Sequence, residues 1–103
     1  MDRLYVARLR IDIDRNWGMG LDFNYSERKG LYEYDETCNG FKGIEEGNLV
    51  TVPSEISVKT YDGGFEFCQG FSNPLGNDEL DIVKEGMEKK FLGLMRVYKD
   101  KYC

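Results

Sequence analysis

The chain has 103 residues, with 19 acidic side chains against 14 basic ones, no histidine and a net charge of −5. The missing histidine excludes Ser-His-Asp and Cys-His nucleophilic sites and every histidine-ligated metal. The negative sum argues against direct nucleic-acid binding, whose footprint is basic. At 41% hydrophobic and 14% aromatic the sequence is too apolar for a disordered acidic tail. Its length predicts one domain, 1–103, around one modest core, with a radius of gyration of about 13 Å.

From Leu4 to Ile13 the residues alternate, with Tyr5, Ala7, Leu9, Ile11 and Ile13 on one side and Val6, Arg8, Arg10 and Asp12 on the other. That pattern predicts a long half-buried strand, because successive strand side chains switch faces. Asn16-Trp17-Gly18 breaks it, and Met19, Leu21, Phe23 and Tyr25 resume the period of two, so the first two strands read as a hairpin. Ser26 to Gly30 reads as a turn and Leu31 to Asp35 as a short strand, with Tyr32 and Tyr34 opposite Glu33 and Asp35. Asn39-Gly40 is a turn pair, Gly43 to Asn48 reads as a loop, and Leu49 to Val52 is a strand that Pro53 ends or pushes to an edge. Ile56–Tyr61 and Phe65–Cys68 flank Asp62-Gly63-Gly64, the clearest hairpin signal in the chain.

Beyond Phe71 the period changes. Asp78, Glu79 and Asp81 place carboxylates in a first helical turn and Lys99 and Lys101 place cations in the last, as the helix dipole favours. Between them Leu80, Val83, Met87, Phe91, Leu94, Met95, Tyr98 and Tyr102 fall on one face of a long amphipathic helix. Strands followed by one helix predict an α+β fold: an antiparallel sheet of about five or six strands packed on the C-terminal helix, or a partly open barrel around it.

No pattern supports a cofactor, a metal or a catalytic residue. Asp12, Asp14, Asn16 and Asp22 open like a calcium loop, but Trp17 stands where the turn glycine belongs and Phe23 where the bidentate acid belongs, so a capped hairpin loop is expected. Glu88-Lys89-Lys90 has the acid-x-lysine spacing of metal-dependent hydrolases but falls on a helix, where it reads as a solvated face. Gly18-Met19-Gly20 lacks the third glycine of a dinucleotide fingerprint. Three cysteines, Cys38, Cys68 and Cys103, without a Cys-x-x-Cys spacing suit reduced thiols, with a Cys38–Cys68 bridge as the alternative. The charged start of the chain and the lack of a long apolar run favour a cytoplasmic protein without a membrane partner.

Three features point to binding. Residues 1–29 hold five acids and six bases, residues 30–77 eight acids and two lysines, and residues 78–103 six of each, so the middle third alone carries −6. Tyr32, Glu33, Tyr34, Asp35, Glu36, Glu45 and Glu46 would there form an acidic face with exposed tyrosines. Arg8 and Arg10, on one side of the first strand, could grip an anion. Ile82, Gly86, Gly93 and Val97 line one flank of the helix, a self-association surface for a homodimer.

The leading expectation is a small acidic non-enzymatic binding protein, an inhibitor that occupies the basic surface of a protein partner such as a nucleic-acid-handling enzyme. By composition alone it is of the type with which phages inhibit host enzymes, although no motif corresponds residue by residue. The rival expectation is a homo-oligomer that sequesters a small anionic ligand such as a nucleotide through Arg8 and Arg10.

Overall fold

The computed structural model describes residues 2–16 and 18–102, with side chains to residue 97; Trp17, Cys103 and the side chains of Tyr98, Lys99, Lys101 and Tyr102 lie outside the described residues. Among the described residues seven strands precede one helix: β1 (Arg3–Ile13), β2 (Met19–Lys29), β3 (Leu31–Asp35), β4 (Gly40–Glu45), β5 (Asn48–Pro53), β6 (Ser57–Tyr61), β7 (Gly64–Phe71) and α1 (Asn77–Tyr102). The α+β class is as the sequence predicts, but the strands form two antiparallel sheets instead of one. A large sheet has the order β2-β1-β7-β6 and a small one the order β3-β4-β5.

The expected β1–β2 hairpin forms, and its register runs from Ile13 opposite Met19 to Arg3 opposite Lys29. Residues 26–29 therefore extend β2, where the sequence suggested a turn. The long partner β1 supplies ladder positions for all of them, and a polar strand costs little where one face is solvated. The expected loop at Gly43–Asn48 is likewise replaced by β4 and a two-residue turn. Glu46 and Gly47 have φ of 50° and 81°, the left-handed pair that matches the twist of a tight hairpin.

Two separate cores replace the single expected one. Ala7, Leu9 and Ile11 of β1 pack with Phe67, Met87, Phe91 and Met95, which sets α1 across one face of the large sheet. Phe65 meets Phe91 edge-on, with ring centroids 5.7 Å apart. On the opposite face Leu4 and Val6 pack with Tyr32, Phe41 and Val52, so the small sheet lies over the other end of β1. Gly70, paired with Val6, permits that close approach: a Cβ there would stand 2.7 Å from Val52 Cγ1. Cores placed side by side along one strand give an elongated molecule of 46 × 29 × 23 Å with a radius of gyration of 15.1 Å, longer than a single-core chain of this size.

Within the small sheet Tyr32 lies directly across from Gly43, and its ring occupies the space that a side chain at Gly43 would need. Gly43→Ala should thus lower stability by about 1–3 kcal/mol, the usual cost of overpacking. Gly93, with open space where its Cβ would be, should gain about 1 kcal/mol on Gly93→Ala from helix propensity alone. Urea unfolding of the two variants checks both signs.

Candidate functional site

The register of the small sheet aligns its outer face in rows. Leu31, Ile44 and Leu49 stand side by side across β3, β4 and β5, and Glu33, Lys42 and Thr51 form the next row. Residues directly opposite in an antiparallel pair share a face. On the inner row Phe41 and Val52 are buried in the core and Tyr34 is half-exposed against Phe41, whereas the outer aliphatic row is exposed: Leu31 79%, Ile44 58% and Leu49 71%. Residues 31–53 also hold five acids against Lys42, a net −4 out of the chain's −5. An apolar row and most of the net charge therefore share one small sheet.

The individual carboxylates have different fates. Asp35 lies 2.8 Å from Lys42 Nζ and also accepts the backbone N–H and the hydroxyl of Thr37. Those bonds, Lys42 first, hold its carboxyl down to about 2. Glu45 accepts the hydroxyl proton of Tyr32 and lies 3.8 Å from Arg28 of β2. Glu33 is exposed on the same face as Asp35, across from Lys42, while Glu36 and Glu46 are exposed in turns.

Three sequence expectations are corrected. Tyr32 is not an exposed contact residue: it is only 2% exposed, and burial, together with its bond to Glu45, pushes its hydroxyl up to about 12. Glu45 faces inward with it, as a brace between the small sheet and β2. The acidic face is consequently discontinuous, with Glu33, Glu36 and Glu46 as its outward members and Tyr34 half-exposed against Phe41. Near Glu45 an open cleft of about 540 Å³ is lined by Arg28, Lys29, Ile44, Glu46 and Asn48, a mixed-charge rim to the aliphatic row.

Arg8 and Arg10 do share a face, but each meets an acid: Arg8 Nε is 3.3 Å from Glu66, and Arg10 Nε is 3.3 Å from Asp12. Arg10 also lies 5.0 Å above the Tyr61 ring. Asp14 is spent on its turn, accepting the N–H groups of Asn16 and Gly18. The helix stripe is split. Ile82 and Val97 are exposed and Gly93 borders open space, whereas a Cβ at Gly86 would meet Ile56 of the same chain at 3.1 Å. Gly86 thus serves the helix's own packing and not a groove. Cys38 and Cys68 are separate free thiols, so the alternative bridge does not form.

Sequence reasoning missed Leu31, Ile44 and Leu49. The available signal was Ile44 and Leu49 placed symmetrically about Glu45-Glu46-Gly47-Asn48, a tight hairpin that brings them together. No protein-family model, curated protein or solved structure matches the chain. Among the described residues no helix is long and apolar enough to cross a membrane.

The two shifted groups in the small sheet have opposite pH consequences. Asp35, depressed in the folded state, contributes stability above pH 4 that is lost as pH falls toward 2. Tyr32, raised in the folded state, contributes stability below pH 10 that is lost as pH climbs toward 12. Urea midpoints should fall less between pH 4 and 2 in Asp35→Asn than in the parent. They should fall less between pH 10 and 12 in Tyr32→Phe.

Proposed function

We propose that this chain is a non-enzymatic binding protein that covers a basic surface of a protein partner, such as a nucleic-acid-handling enzyme, with the outer face of its small sheet. The observation that supports this reading is the coincidence, on β3, β4 and β5, of an exposed aliphatic row with four-fifths of the net negative charge. Interface centres are apolar and interface rims polar, and acidic rims steer basic partners and select them. Leu31, Ile44 and Leu49 form the centre; Glu33, Glu36 and Glu46 form the rim. Arg8 and Arg10 each already lie within ion-pair distance of an acid, Glu66 and Asp12, so the reading does not draw on them. Cys38 and Cys68 as free thiols are in keeping with a cytoplasmic setting.

Two variants separate centre from rim. In affinity capture from the cells that encode the protein, Ile44→Ser with Leu49→Ser should lose the partner at every salt concentration. Glu33→Lys with Glu46→Lys should slow association at low salt and matter less as salt screens the rim. Retention of the same partner by both variants at parental levels would overturn the reading.

A further inference from the structure

The outer face of the small sheet has a counterpart of opposite charge on the same chain. Residues 78–88 of α1 hold five acids and Lys84, whereas residues 89–97 hold Lys89, Lys90 and Arg96 and no acid. The helix dipole does not account for this second group, because it favours cations only within the last turn and α1 runs on to Tyr102. Met87, Phe91 and Met95 turn to the core. At about 100° per residue Lys89, Leu92, Arg96 and Val97 come round on the other side, and all four are exposed. Leu92 is 60% and Val97 66% exposed, so two large aliphatic side chains stand among the cations. Among the described residues none of these three cations pairs with an acid, whereas Arg3, Arg8, Arg10, Arg28 and Lys42 all do.

We infer that this face of α1 docks on the outer face of the small sheet of a second copy of the chain. The two surfaces match in charge and in kind. Residues 31–53 carry −4 and surround Leu31, Ile44 and Leu49 with Glu33, Glu36 and Glu46, while residues 89–97 carry +3 around Leu92 and Val97. They also match in size. Leu92 and Val97 are about 7.5 Å apart along the helix axis, and the aliphatic row crosses two strand spacings, about 9.6 Å. A helix laid along the row sets both of its aliphatic side chains on it and brings its cations to the acidic rim. Within one chain the two faces cannot meet, because α1 and the small sheet cover opposite faces of the large sheet. Copies therefore join through different patches, a heterologous contact that leaves one helix face and one sheet face open and continues head to tail. A sheet-to-sheet contact would instead set like charges against each other. The inference goes beyond the partner reading and shares with it only the small-sheet face, for which the helix of a second copy and a basic partner compete.

Sedimentation of the full chain from micromolar to millimolar concentration, at low and at high salt, tests the contact. The weight-average mass should rise above the monomer's 11.9 kDa with concentration, and less so at high salt as the charges are screened. Ile44→Ser with Leu49→Ser, and Lys89→Glu with Arg96→Glu, should each hold the chain at the monomer mass. All four positions are exposed, and glutamate is as good a helix former as lysine or arginine. Should the reversed pair lower the urea midpoint, Lys89→Gln with Arg96→Gln takes its place. An equimolar mixture of the sheet variant and the helix variant should associate again and stop at a dimer, since each supplies the face the other lacks. A parent that is monomeric at every concentration overturns the inference and leaves capture of a basic partner untouched. Association that persists in both variants places the contact elsewhere, and a mixture that stays monomeric excludes the helix-to-sheet pairing; either result overturns the inference. Self-association as expected, with no basic partner captured, overturns the partner reading alone.

Discussion

The structure depends on β1 being buried on both faces, but at different points along its length. Its odd positions Ala7, Leu9 and Ile11 meet the helix, and its even positions Leu4 and Val6 meet the small sheet. At Arg8 the even face turns polar, and there the cover of the small sheet ends. Fully burying an aliphatic side chain is worth about 1.5–3 kcal/mol, so the five β1 residues that are at most 1% exposed anchor both cores. The two-sided use of one strand explains the length of the molecule. It also explains why the small sheet has a bare side, since its single layer of contact is already made with β1 and β7.

That bare side differs from the outer face of the large sheet. The exposed half of the large sheet beyond Val6 is polar and carries ion pairs, Arg8 with Glu66 and Arg10 with Asp12, although Arg8 Nε and the Tyr61 hydroxyl are buried without a hydrogen-bond partner. The flank of α1 is partly closed by Gly86 on Ile56. The outer small sheet instead presents three large aliphatic side chains in one row. Scattered exposed apolar residues need no explanation, whereas contiguous ones rimmed by charge are the kind of surface on which the proposed binding rests.

Elements with strong periodicity were legible in the sequence: the alternation of β1, the Asp62-Gly63 turn and the face of α1 through Met87, Phe91 and Met95. β4 was not, because Gly40 and Gly43 read as breaks. Gly43 is there to admit the Tyr32 ring, a tertiary reason that no local pattern encodes. Missing β4 had a cost at the site. Without it Lys42 could not be placed across from Glu33 and beside Asp35, nor Glu45 beneath Tyr32, and the five acids looked equivalent. The excess charge of the middle third was legible; which carboxylates remain outward was set by β4. The polar stretch 26–29 failed for the opposite reason, since its pairing comes from the length of β1 and not from its own composition.

Magnitudes limit what the aliphatic row can do alone. Covering Leu31, Ile44 and Leu49 completely yields about 5–9 kcal/mol at the usual value per buried side chain. Association costs an estimated 4–15 kcal/mol in lost translational and rotational freedom, so the row by itself leaves little or nothing for affinity. Rim carboxylates in water add modestly to the equilibrium and chiefly to the rate of encounter. The rest of the affinity in the proposed complex has to come from contacts beyond the row, while the rim carboxylates bias which partners reach it.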